Sequence, residues 1–181
     1  EQPDFAALEP FCAAGERFYV DTWSGEAPPG WSIAIEKKMK RMVWTGSLPD
    51  EDPSLEAVPL DASHAQQAVD LAVLTNPGPF GIRTIELGEY FGVFDGAQLV
   101  AMAGERLHAG PYREVSGVCT HPDHQGRGLA RRLSLKIVRL QMQRGQLPFL
   151  HVISTNTTAH ALYEKMGFRD YKETVVRVVE K

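Results

Sequence analysis

The chain has little of what marks a specialised protein class. Its 181 residues include two cysteines, Cys12 and Cys119, far apart in sequence. That is no disulfide framework, and Cys119, set in an apolar segment, reads as a small core residue. There is no excess of positive charge. The net charge of −4 argues against a dedicated nucleic-acid binder, whose footprint is usually basic. No apolar run approaches the ~20 residues that span a bilayer, so no membrane partner is expected. Glu1 to Ala14 lacks the basic start and apolar centre of a secretory signal, and a cytoplasmic location is the expectation. No internal repeat or low-complexity tract is present. No Gly-x-Gly-x-x-Gly follows the first strand and no Walker lysine occurs, which disfavours a nucleotide-binding Rossmann domain. His121, Asp123 and His124 superficially suggest metal ligands. With Pro122 in a turn and no other convergent cluster, no metal site is expected.

What is present is ordinary in bulk and specific in detail. An apolar fraction of 43% and a charged fraction of 23% suit a globular protein with a sizeable core. Arg17–Thr22 and Trp31–Ile35 look like strands, and Lys37–Trp44 mixes basic and apolar residues. The acidic, proline-containing stretch Gly46–Glu56 reads as an exposed crossover. It separates an N-terminal extension, residues 1–55, from a main domain, residues 56–181. Ala57–Leu60 is a short strand. A helix capped by Asp61 or Ser63 runs to about Leu74, with Val69, Ala72 and Val73 as its apolar stripe. Thr75–Phe80, rich in Pro and Gly, stops it. Thr84–Leu87 is a turn of helix. Strands Tyr90–Phe94 and Gln98–Glu105 are joined by Asp95-Gly96, a hairpin signal, and Glu114–Thr120 follows a second turn at His108–Pro111. A long helix from Arg127 to about Arg144 carries Leu129, Leu133, Ile137 and Leu140 on one face, and Gly145 ends it. Strand Phe149–Ile153, helix Thr158–Met166 closed by Gly167, and strand Tyr171–Val179 complete the order β-α-β-β-β-α-β-α-β. This predicts a mixed sheet covered by helices, in the α/β (α+β) class.

The most informative stretch is Glu114 to Ala130. A strand leads into Gln125-Gly126-Arg127-Gly128-Leu129-Ala130 and then into the long helix. A glycine turn at a helix N-terminus leaves backbone N–H groups free at the positive end of the helix dipole, which is a site for phosphate. Gly126 and Gly128 let the main chain approach a pyrophosphate without Cβ clashes, and Arg127 and Arg131 can add charge-assisted bonds.

Three elements in this order resemble the GNAT superfamily of acetyl-CoA-dependent N-acyltransferases. They are the loop Gln125–Ala130, which fits Arg/Gln-x-x-Gly-x-Gly/Ala; Asn156 just after the next strand; and the Ala-x-x-x-Tyr-x-x-x-Gly-Phe run, here Ala159, Tyr163, Gly167 and Phe168. The resemblance covers about Glu56 to Val179 and looks like a bacterial branch with an N-terminal extension. It implies a mostly antiparallel, twisted sheet flanked by helices, with a splayed parallel strand pair. It also implies acetyl-CoA as acyl donor, CoA as product, and direct transfer to an amine in a ternary complex.

The roles implied follow residue by residue. Gln125, Gly126, Arg127, Gly128, Leu129 and Ala130 would hold the pyrophosphate. Val118, Cys119 and Thr120 would run beside the pantetheine arm, with Asn156 and Ala159 completing the binding of CoA. Tyr163 would donate a proton to the departing sulfur while also contacting CoA. Glu114, at the start of its strand, is the candidate base; Glu105 or a water competes with it. Phe80, Arg83, Tyr90, Glu105 and His151 are candidates for shaping the acceptor pocket. The acceptor is a small-molecule or peptide amine, and a monomer and a homodimer are both compatible with the chain. A non-catalytic acyl-CoA-binding sensor or scaffold of the same fold is the alternative; retention of Tyr163 favours an enzyme.

Overall fold

The structure, a computed structural model, describes residues 3–181. The chain divides into two compact units. The smaller comprises Glu1–Met42, His151–Ala161 and Asp170–Lys181; the larger comprises Val43–Leu150 and Leu162–Arg169.

The smaller unit begins with α1 (Phe5–Leu8), a single turn capped by Asp4, and continues into β1 (Arg17–Asp21) and β2 (Ser32–Trp44). The strand predicted over Trp31–Ile35 therefore runs nine residues further than its apolar start suggests, through the stretch of mixed basic and apolar residues. The reason is pairing. β8 (Phe168–Glu180), the last strand of the chain, lies between β1 and β2, so the order is β1-β8-β2-β7. Acids from other strands neutralise the cations of β2: Lys40 pairs with Asp170 at 2.6 Å and Arg41 with Asp21. A small aromatic core of Phe5, Trp23 and Val179, flanked by Phe18, Val20 and Trp31, covers one face. Arg177 stacks over Trp23 at 4.9 Å and pairs with Glu36.

The larger unit holds β3 (Val58–Leu60), α2 (Ala65–Thr75), β4 (Tyr90–Asp95), β5 (Gln98–Ala109), β6 (Tyr112–Thr120) and α3 (Leu129–Gln143). It also holds the first part of β7 (Leu147–Ile153) and the second part of α4 (Thr157–Met166). Its strand order is β7-β6-β5-β4-β3. β3/β4, β4/β5 and β5/β6 are antiparallel. β6 and β7 are parallel, joined through α3 as a parallel pair requires. Their paired stretch is Tyr112–Glu114 with Leu147–Phe149, the first three residues of each strand.

Local signals explain the helices. Asp61 accepts the Ser63 N–H at 2.9 Å, a 3-10 turn follows, and α2 then runs to Asn76, whose left-handed conformation stops it. The buried face of α2 is Ala65, Ala68, Leu71 and Ala72. The predicted stripe through Val69, Ala72 and Val73 is rotated from this: Val73 is 77% exposed. The small alanines let α2 sit close over Tyr90, Leu99, Met102 and Cys119. On α3, Leu129, Leu133, Ile137 and Val138 are buried, while Arg132 and Arg139 hold the crossover through Asp52, Ser54 and the Pro49 carbonyl.

β8 depends on both N-terminal strands for its ladder. Deleting residues 1–45 should therefore leave it without neighbours, an aggregation-prone condition. The expected outcome is insoluble or oligomeric protein by size-exclusion chromatography. A soluble species with a cooperative thermal transition like that of the full chain would contradict this.

Candidate active site

The loop that closes β6 leaves the strand at Thr120, makes a 3-10 turn over Pro122–His124 and enters α3 at Gly128. Gly126 and Gly128 have φ of +75° and +72°, a left-handed conformation that costs an L-residue roughly 1–2 kcal/mol. A Cβ built on either would meet nothing within 4 Å, so both face open space and not a neighbouring part of the fold. Residues 125–128 are exposed. Gly128, as N-cap, offers no side-chain acceptor to the first turn of α3, and that turn contains no acidic residue. The first N–H groups of a fifteen-residue helix are thus left for something else. Arg127 and Arg131 form no ion pair or side-chain hydrogen bond among the described residues, whereas Arg132 is committed to Asp52 at 2.6 Å. The geometry fits an anionic diphosphate.

Upstream of the loop, β6 is irregular. Met102 faces Cys119 and Gly104 faces Ser116. Gly117 and Val118 therefore stand opposite the single residue Ala103, a bulge with Gly117 at φ +63°. A bulge takes backbone groups out of the ladder, and Ser116, Gly117 and Val118 are only half-buried. Two candidates from the acceptor set converge here. The ring of Tyr90 comes within 2.9 Å of where a Gly117 Cβ would stand, and that of Phe80 within 3.3 Å. The two rings meet edge-on at 5.5 Å. Tyr90 is 1% exposed, and its hydroxyl has no hydrogen-bond partner, a condition that costs about 1–3 kcal/mol. Thr120 Oγ1 is likewise buried and unpartnered. Cys119 is buried, and burial pushes its thiol up to about 11. It is a neutral thiol at neutral pH and no nucleophile.

Tyr163, on α4, is buried at 9% exposure and packs against Phe168 at 5.9 Å. Burial, with a smaller contribution from Cys119, pushes its hydroxyl up to about 12. The group stays protonated through the physiological range, as a donor must.

The two glutamates have a different environment. Glu114 is 1% exposed. Both its oxygens accept from Arg106 at 3.0 Å, and Oε2 also accepts the Leu107 N–H at 3.2 Å. The reason lies in the pairing: Arg106 and Leu107 form a second bulge opposite Glu114, so the carboxylate caps an N–H that the ladder cannot use. A base needs a lone pair facing its substrate, and this carboxylate is engaged within the sheet. Glu105 is equally buried and is held by Arg144 and Arg113. Arg83, 83% exposed at its side chain, binds Glu86 and does not join Phe80 and Tyr90.

Three candidates, Asn156, Ala159 and His151, belong to the smaller unit. Asn156 accepts the Ala159 N–H at 3.0 Å and so caps α4. His151 accepts from Arg41 Nε at 3.1 Å, and Arg41 in turn binds Asp21. This Asp21–Arg41–His151 chain was not legible in sequence, since its members are 20 and 110 residues apart. His160 binds Asp170 at 2.8 Å beside Lys40. Among the described residues no group of three or more His, Cys, Asp or Glu could hold a metal, and no helix is long and apolar enough to cross a membrane.

The chain has relatives among known proteins. The FR47-like protein family matches residues 90–178. The chain is similar to a GNAT-family protein of Novosphingobium aromaticivorans DSM 12444, with 33% identity over 98% of this chain and 80% of that one, at a TM-score of 0.90. It is 39% identical, over 44% of its length, to the N-alpha-acetyltransferase RimI of Mycobacterium tuberculosis, and this match spans about half (51%) of that relative. The ribosomal-protein-S18-alanine N-acetyltransferase of Escherichia coli shares the fold at a TM-score of 0.57 and 20% identity, over 68% of this chain and 91% of that one.

Replacing Glu114 by Gln should lower stability by about 2 kcal/mol, because it weakens the buried carboxylate's charge-assisted bonds from Arg106 and the Leu107 N–H. Turnover of the folded variant at low temperature should stay within about threefold of the parent, the span of a side chain outside proton transfer. Thermal denaturation and an acetylation assay check the two halves; unchanged stability with turnover lost would restore Glu114 as the base.

Proposed function

Since the chain belongs to the GNAT family of N-acyltransferases, we propose that it moves an acetyl group from acetyl-CoA to a primary amine by direct attack in a ternary complex. The acceptor is the α-amine of a polypeptide. The observation that carries this reading is the exposed loop Gln125–Ala130, with its two left-handed glycines and uncapped helix start. The similarity to an N-alpha-acetyltransferase supports the choice of acceptor.

The bound donor supplies an activated thioester. The chain's own part is positioning and charge. Main-chain N–H groups of residues 126–131 hold the diphosphate, and the helix dipole adds about 0.3–1 kcal/mol per favourable contact. Arg127 and Arg131 neutralise the remaining charge. The half-buried bulge at Gly117 and Val118 offers an N–H to the carbonyl oxygen on which charge develops. The Tyr163 hydroxyl donates to the departing sulfur. Asn156 retains its amide N–H donors beyond the bond its oxygen accepts from Ala159, and such donors suit the amides of a pantetheine arm. With Glu114 and Glu105 engaged in buried ion pairs, the acceptor's proton leaves through water.

Gly128→Glu places a carboxylate where the diphosphate would lie. It should abolish CoA binding in calorimetry while leaving the far-ultraviolet circular dichroism unchanged; unaltered binding would remove the loop from the site. Tyr163→Phe should lower kcat by about 100-fold with the Kd for CoA kept within threefold. Because the Tyr163 hydroxyl lies raised, at about 12, its protonated form persists as pH rises through the ordinary phenol range of about 10. The rate should therefore show no Tyr163-dependent fall between pH 7 and pH 10.5. A fall centred near or below 10 in the parent, absent in Tyr163→Phe, would contradict this.

A further inference from the structure

In the larger unit the strand order ends on β3, which is three residues long and carries Pro59 at its centre, a usual protection of a free sheet edge. In the smaller unit it ends on β1, whose residues Arg17-Phe18-Tyr19-Val20-Asp21 include no proline and no lysine. Pairing with β8 fixes which groups of β1 face outward. The Thr22 N–H donates to the Val175 carbonyl at 3.0 Å, and the Lys181 N–H to the Glu16 carbonyl at 3.2 Å. Hydrogen-bonding residues alternate along an antiparallel strand. Phe18 and Val20 therefore turn their main-chain groups to Val179 and Arg177 of β8, and Arg17, Tyr19 and Asp21 turn theirs to the free edge. Among the described residues nothing bonds those outward N–H groups. The Asp21 carbonyl takes the Thr22 hydroxyl and keeps its second lone pair. Side chains alternate as well: Phe18 and Val20 flank the aromatic core, while Tyr19, 58% exposed, shares the outer face with Arg17 and Asp21.

We propose that β1 is an interface between two copies of this chain, which pair edge to edge, antiparallel, about a two-fold axis at Tyr19. The strand is complementary to itself in that register. Arg17 meets Asp21 of the second copy, Phe18 meets Val20, and Tyr19 meets Tyr19. The residues whose main-chain groups face outward are the ones set opposite each other, so each such pair exchanges both N–H···O bonds. A shift by one residue would oppose outward groups to inward ones, and a shift by two would set Arg17 or Asp21 against Tyr19 and lose the charge match. Arg17 commits its Nε to Glu180 and Asp21 its Oδ2 to Arg41. The terminal guanidinium nitrogens of the one and the Oδ1 of the other stay available for the cross-strand pair. The same patch serves on both copies, as a closed two-fold dimer requires, and the open edge of each chain is covered by the other.

The test is sedimentation equilibrium of the full chain over about 5–500 µM, a span suited to a small interface. The parent should pass from monomer to dimer as concentration rises. Arg17→Asp or Asp21→Arg alone sets like charges opposite each other at both ends of the paired strands and should raise the dimer Kd about 10-fold. The double variant Arg17→Asp/Asp21→Arg makes the opposed charges unlike again and should return the Kd to within about threefold of the parent's. Each substitution also removes an ion pair within the chain, to Glu180 or to Arg41, so thermal melting is read alongside. Tyr19→Lys touches neither pair and sets two ammonium groups at the axis; it should be monomeric throughout and decides the matter if the charge variants do not fold. A parent that stays monomeric at the highest concentration overturns the proposal. So does a dimer that Tyr19→Lys leaves intact, and so does a folded double variant that associates no better than the single ones.

Discussion

The site depends on how β6 departs from a regular ladder. Antiparallel pairing with β5 would consume every backbone group along that edge. Two bulges prevent it. At one, Gly117 and Val118 face a single residue; at the other, Arg106 and Leu107 of β5 face Glu114. The two defects are resolved in opposite ways. The second is closed from within the protein, by a buried carboxylate that caps the freed Leu107 N–H and neutralises Arg106. The first is left half-buried, beside an unpartnered phenol and an unpartnered threonine hydroxyl. The fold satisfies one irregularity from within and leaves the other open, where a ligand could supply the missing partners.

The same asymmetry governs the charged groups. Four of the acids that a reader would inspect for catalysis, Glu105, Glu114, Asp52 and Asp170, are held by arginine or lysine. For Asp52, the Arg132 guanidinium and the Ser54 hydroxyl keep the carboxyl well below its usual range. Arg127 and Arg131 carry no such partner among the described residues. They stand on either side of Gly128, where α3 begins with its N–H groups uncapped. These acids are thus matched by cations, two inside the fold and two at its surface, and positive charge is left at the loop, as a phosphate site requires.

The loop was readable in sequence because it is a local object. Six consecutive residues define the turn, and glycine is the residue that takes positive φ at 126 and 128. Helix ends at Asn76, Gly145 and Gly167 were legible for the same reason. What escaped is what depends on distant partners. Lys37–Trp44 does not look like a strand until Asp170 and Asp21 are set beside Lys40 and Arg41. Glu114 looked like a candidate base because its position at a strand start is visible, whereas the arginine opposite it is visible only once the register of β5 and β6 is known. Arg83 stands three residues beyond the loop that ends at Phe80, yet it turns to Glu86. The placement of β8 between the two N-terminal strands has no local signature.

Backbone amides are the central claim, and amide chemical shifts report on them directly. In an 15N-labelled sample titrated with CoA, the largest shift changes should fall on residues 126–131 and on 117–120. Titration with ADP, which keeps the diphosphate and lacks the pantetheine arm, should move the first group and spare the second. Changes confined to other parts of the chain, or none at all at saturating CoA, would contradict the account.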